Sequence, residues 1–165
     1  MHPRWNGCPP FAGDGAAGIL YFADVGGRLP RLQLVGGNLE RQLRTVLIVS
    51  PYFPPSSLAG VHRTRHLAKH LPAHGWRPIV MRVDERYYTE LPDLDLAGML
   101  PSSLEQVRVG AVPQGAARLA GVGDVGLRAY WHLQMALARV ALVSSPSVVL
   151  ITGSPFYPML LARWI

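Results

Sequence analysis

The run Val46-Leu47-Ile48-Val49 constrains this chain more than any other feature. Four consecutive apolar residues, mostly β-branched, suit a strand covered on both faces, as the central strands of parallel sheets are. Ser50 to Ser57 follows at once, and Pro51, Pro54 and Pro55 exclude both helix and ladder pairing there. A helix is then predicted over residues 61–74, because Thr64, Leu67, Ala68 and Leu71 recur at helical spacing. Pro72 should distort its last turn, and Gly75 should stop it. Pro78 to Val83 reads as the next strand. Strand, helix and strand in this order form a βαβ unit, whose crossover should be right-handed.

The same pattern extends downstream. Asp84 to Asp95 is a loop rich in acids and tyrosines, its carboxylates expected in solvent. Leu104 to Val109 gives a third strand, and the Gly/Ala-rich stretch from Pro113 to Gly126 reads as loop. A helix is predicted over residues 127–143, with Leu127, Tyr130, Trp131, Met135, Ala138 and Leu142 on one broad face. Val148 to Ile151 is the fourth strand, ending in the turn Thr152-Gly153-Ser154-Pro155. Phe156 to Ile165 begins another, partly apolar helix, which reads as the chain stopping inside a longer architecture. The fold class is therefore α/β, a Rossmann-like parallel sheet with flanking helices over residues 44–165. Residues 1–43 read as a poorly ordered or weakly structured extension, in which Gly18 to Ala23 and Leu32 to Val35 are candidate short strands.

A length of 165 residues accommodates one domain with a real core and not two. The net charge is +6, almost all from arginine, since Lys69 is the single lysine. That balance favours phosphorylated small molecules or anionic lipid. No run of four basic residues occurs, so nucleic acid is not an expected partner. Cys8 stands alone and forms no intrachain disulfide. The sequence lacks both a signal pattern and an uninterrupted apolar stretch of membrane-spanning length. The expected location is cytoplasmic, with peripheral contact at the inner face of an anionic membrane.

In open α/β sheets ligands bind beyond the carboxyl ends of the strands. Two loops take that position here. The first runs from Ser50 to Gly60 into a helix N-terminus, whose amides and dipole favour an anion. Ser56 and Ser57 offer hydroxyls, Gly60 permits close backbone approach, and His62, Arg63 and Arg65 add polar and charged groups at its mouth. The bland alternative is a proline-braced connector. The second loop holds Thr152, Gly153 and Ser154, where a helix cap competes with ligand contact. Neither loop carries a G-x-G-x-x-G or G-x-x-x-x-G-K-[ST] pattern, so no dinucleotide or ATP site is expected. His62, His66, His70 and His74 climb one helix at intervals of four. One helix cannot surround a tetrahedral ion, so no metal is expected there.

The ordered set Tyr52-Phe53-Pro54-Pro55, Gly60, Arg63, Leu67-Ala68-Lys69-His70-Leu71 and Gly75-Trp76 resembles the opening of the N-terminal domain of GT-B-fold glycosyltransferases, in the large retaining group called family 4. Val148 to Phe156 is similar to a later strand and turn of that domain, so the resemblance covers residues 44–165. It implies the incomplete N-terminal half of a GT-B fold. The whole enzyme would move a sugar from a nucleotide-sugar co-substrate to a glycan, lipid-linked or small-molecule acceptor with retention, without a bound cofactor. The resemblance implies that the first domain shapes the acceptor side, with Leu58, Ala59, Gly60 and Val61 facing the cleft. It also implies a missing C-terminal domain that carries most of the donor site. Ala59 departs from the commoner double glycine of the loop, and its methyl group narrows the permitted backbone angles. The competing readings are a non-catalytic Rossmann-like binding or interaction module from a truncated gene, and a different nucleotide-binding α/β enzyme such as an epimerase.

Overall fold

A computed structural model describes residues 21–24, 43–119, 121–152 and 156–164. Five strands form one sheet: β1 (Tyr21–Asp24), β2 (Arg44–Val49), β3 (Trp76–Val83), β4 (Glu105–Val109) and β5 (Val148–Ile151), in the order β1-β5-β2-β3-β4. β2 to β5 are mutually parallel, and β1 lies antiparallel on β5 with Tyr21 opposite Ile151. The central strand is β2, where Leu47 pairs with Ile79 on one side and Val149 on the other. This is the Rossmann-like α/β architecture expected from the uninterrupted apolar run. Of the candidate strand at Gly18 to Ala23, Tyr21 to Ala23 fall in β1, whereas Gly18 to Leu20, Leu32 to Val35 and Cys8 lie outside the described residues.

Alternation along the strands divides the core in two. Val46, Ile48, Val80 and Leu150 face one side, where Phe53 and Ala68 bury against them. Leu47, Val49, Ile79, Met81, Val149 and Ile151 face the other. The first side is covered by α1 (Ala59–His70), whose buried residues are Val61, Thr64 and Ala68. The α-helix ends at His70, and Leu71–His74 tightens into a 3-10 turn. Pro72 lacks the N–H that would continue the α-helical ladder. Gly75, at φ 77°, then closes the segment with its N–H directed to the carbonyls of Leu71 and Pro72.

The second side is covered by α4 (Val125–Arg128), α5 (Tyr130–Ser144) and a 3-10 segment, Tyr157–Trp164. Here the sequence expectation needs correction. Leu133 and Leu137 are the buried residues of α5, while Leu127, Trp131, Met135 and Leu142 lie exposed. α5 is apolar nearly all round, so its periodicity does not select a face. Short helices also occur at the end of the Asp84 to Asp95 loop and within the Pro113 to Gly126 stretch. α2 (Leu94–Gly98) starts at Asp93, whose side chain accepts from the Leu96 N–H. α3 (Gln114–Leu119) and α4 break the Pro113 to Gly126 stretch, with Asp124 accepting from the Leu127 N–H.

From β2 the chain moves outward to β3 and β4, then returns through α3, α4 and α5 to β5 on the opposite flank of β2. The strand order of the sheet therefore reverses between β2 and β5.

Candidate functional site

A reversal of this kind opens a crevice at the carboxyl ends of the two strands that flank it. Ser50 and Thr152 stand there, one residue past β2 and β5. The Ser50 N–H donates to the Met81 carbonyl at 2.9 Å, and the Thr152 N–H to the Val49 carbonyl at 3.0 Å. Both side chains are buried, as is Thr64 of α1. The Ser50 hydroxyl donates to the Tyr52 carbonyl at 2.7 Å. With its proton so engaged, it accepts from Thr64 Oγ1 at 3.1 Å and faces Thr152 Oγ1 at 3.1 Å. Three hydroxyls thus fasten β2, β5 and α1 together directly beneath the crevice.

The proline loop above them is held by the segment that follows β3. The Tyr88 phenol oxygen lies 3.0 Å from the Pro51 carbonyl and 2.9 Å from the Val83 carbonyl, and it accepts from the Phe53 N–H at 3.1 Å. Burial pushes its pKa up to about 12, against smaller lowering effects from the Phe53 amide and Arg82. Its ring packs against Tyr52 with centroids 5.2 Å apart. Burial raises the Tyr52 phenol too, reinforced by Glu90 and Asp124 and opposed by Arg128. Ser56 donates to the Glu90 carboxylate, and the Asp93 N–H donates to the Pro55 carbonyl at 2.7 Å. Glu85, just past β3, bonds to buried Arg82 at 2.7 Å and to Arg108 at 3.4 Å. Its carboxyl is held below the usual range, first by its own backbone amide and then by Arg82, while desolvation opposes both.

The residues singled out in the sequence divide accordingly. Ser56 is fully buried and its hydroxyl is committed to Glu90, so it belongs to the frame of the loop and not to its open surface. Ser57 and Ala59 are exposed, Gly60 is half-buried, and His62 and Arg63 are exposed on the first turn of α1. Leu58 is the N-cap and supplies no side-chain bond, so no side chain closes this helix start. Ser57, Ala59, Gly60, His62 and Arg63 therefore gather around one uncapped N-terminus at the crevice. Thr152 is buried below it, and Gly153 and Ser154 lie outside the described residues.

The histidine series is exposed throughout, and the His66 and His70 rings stack at 6.1 Å. Among the described residues, no three His, Cys, Asp or Glu side chains converge as a metal site. Two further surface depressions are present, the second sharing Arg63 with the crevice. One of about 180 Å³ lies at the amino ends of the strands between Trp76 and Leu104, and one of about 360 Å³ lies beside His66 and His70. Both are open; the first includes the Arg77–Glu105 ion pair, and the second is lined by Arg63, His66, His70 and His74 with Leu67 and Leu71.

Sequence reasoning put Ser50 in the first loop, Thr64 on the inner stripe of its helix and Tyr88 and Glu90 in the loop after β3, but it found neither their hydrogen bonds nor the role of Arg128. Arg128 is buried in α4 and donates to the Val112 carbonyl at 3.1 Å and the Tyr87 carbonyl at 3.0 Å, joining the loops that follow β3 and β4. Each of these residues acts through a partner distant in sequence, and no local pattern announces such a pairing.

Comparison with protein-family models, with curated proteins and with solved structures finds no match.

Proposed function

We propose that this chain forms the acceptor-side wall of a retaining glycosyltransferase, working with a second α/β domain that carries the nucleotide-sugar site. One observation supports the reading above the others. Of the residues that carry the family resemblance, Tyr52 to Pro55, Gly60 and Arg63 lie at the reversal point of a Rossmann-like sheet, beside an uncapped helix start, while Leu67 to Leu71 and Gly75-Trp76 continue along α1 and into β3. Departure of a nucleoside diphosphate develops negative charge. Backbone amides at the start of α1 and the Arg63 guanidinium are the groups suited to oppose it. Ser57 adds a hydroxyl for acceptor or phosphate oxygens, and His62 stands at the edge of the same surface. Sugar transfer must exclude water, and a single wall leaves the crevice open. The reading therefore expects no transfer by this chain alone and requires neither metal nor resident cofactor on its residues.

The test is titration of the isotopically labelled chain with inorganic pyrophosphate and with nucleotide sugars, followed by amide resonances. Shifts confined to residues 57–63, weakened about tenfold by Arg63→Ala, are expected, as for loss of a charge-assisted bond worth about 1.5 kcal/mol. Unmoved resonances in that segment with every ligand would remove the basis of the reading and leave a non-catalytic binding module in its place.

A further inference from the structure

The helical layers on the two sides of the sheet are finished differently. The outward positions of α1 are His62, Arg63, His66, Lys69 and His70, all polar and exposed, as a helix in water requires. The outward positions of α5 are mostly apolar, with His132 and Arg139 the exposed polar exceptions. Trp131 is 71% exposed, Met135 58%, Leu142 83% and Val143 86%, and Leu127 continues the stripe backward at an interval of four. The neighbouring 3-10 segment adds Leu160 at 56% and Trp164 at 61%. Both elements bury their inner residues, Leu133, Leu137 and Leu161, in the same core cluster, so their outer sides belong to one layer. An apolar surface of this extent marks an interaction face.

Its charge identifies the partner. From Val125 to Ile165 the sequence contains no aspartate or glutamate. Arg139 and Arg163 are exposed within this layer, whereas Arg128 is buried. Tryptophans, aliphatic side chains and arginines without an acidic partner among the described residues are the composition of a surface that rests in the headgroup region of an anionic bilayer. Among the described residues no helix is long and apolar enough to cross a membrane, so the contact is peripheral. We infer that the outer face of α5 and the Tyr157–Trp164 segment docks on an anionic lipid surface, with Trp131, Leu142 and Trp164 entering the interface and Arg139 and Arg163 meeting phosphate headgroups. Lipid docking is independent of the sugar-transfer reading, because its test contains no sugar.

The experiment is co-sedimentation of the full chain with vesicles of phosphatidylglycerol and, separately, of phosphatidylcholine. Binding to the anionic vesicles, weakened by salt, and at least ten times weaker binding to the zwitterionic ones are expected. A double variant, Trp131→Ser with Leu142→Ser, should lower anionic-vesicle binding at least tenfold while retaining cooperative thermal unfolding. Arg139→Glu should reduce it several-fold, whereas the equal charge change Lys69→Glu on α1 should alter it little. Brominated lipid should quench tryptophan fluorescence, and Trp131→Phe should diminish that quenching. Absence of binding to both vesicles would overturn the inference. Equal losses from Lys69→Glu and Arg139→Glu would reduce it to diffuse charge attraction. A concentration-dependent dimer abolished by the double variant would assign the face to a second copy of the chain instead.

Discussion

The phenol of Tyr88 stands where two carbonyls and one amide converge, and its removal should be felt at once. Tyr88→Phe leaves the Phe53 N–H without its acceptor and deprives the Pro51 and Val83 carbonyls of a donor. A loss of about 1–3 kcal/mol is expected, read as a lower midpoint in urea unfolding. The same residue gives a pH signature. Its pKa rises from 10.0 in the open chain to about 12 in the fold. Between these values the unfolded state releases a proton that the folded state keeps, so stability falls as pH rises from about 10 to about 12. That part of the decline should be absent in Tyr88→Phe. Neither role was legible in the sequence, where the segment from Asp84 to Asp95 reads as solvated acids and tyrosines. Glu90 meets Ser56 across 34 positions and Tyr88 meets Pro51 across 37, and spacing carries no signal over such intervals.

At the scale of elements, the strands were the readable part. Apolar, β-branched runs place β2, β3 and β5 within a residue or two of their observed bounds, because burial on both faces favours such sequence, and the edge strand β4, polar and half-exposed, also falls within one residue. α1 was readable for the opposite reason, since its outer face is polar and its inner stripe is narrow. α5 was readable as a helix and unreadable in orientation. The contrast is testable: Leu133→Ala should cost about 2–5 kcal/mol, because Leu133 is fully buried. Leu142→Ala, on the outer face, should change stability by no more than about 0.5 kcal/mol. Equal effects of the two substitutions on chemical unfolding would contradict the observed orientation. The short helices α2, α3 and α4 escaped notice because each depends on a cap or a tertiary neighbour and too little on its own periodicity.

The whole molecule adds what no element contains, the order of the strands. β5 lies against β2 although Thr152 and Ser50 are 102 positions apart, and only that pairing creates the crevice. The candidate loops were legible as strand-to-helix turns, whereas their meeting was not. As the middle of the five strands, farthest from either sheet edge, β2 should show the slowest amide exchange among the strands, close to the rate set by global unfolding. β1 closes the other flank of β5. A chain lacking residues 1–42 should therefore exchange the β1 edge for the apolar Val148–Ile151 edge of β5 and associate with rising concentration in size-exclusion chromatography.

The bonds from Tyr88, Glu90 and Asp93 to the proline loop have a thermodynamic consequence for whatever arrives there. A surface loop ordinarily surrenders conformational freedom at the moment of contact, and affinity is reduced by that loss. Residues 51–56 are already fastened at Pro51, Phe53, Pro55 and Ser56 before any ligand is present. The ordering entropy of this segment has been surrendered during folding. Recognition at Ser57 to Arg63 should thus proceed on a rigid ledge, with little heat-capacity change from the loop itself and with a rate governed by encounter more than by rearrangement.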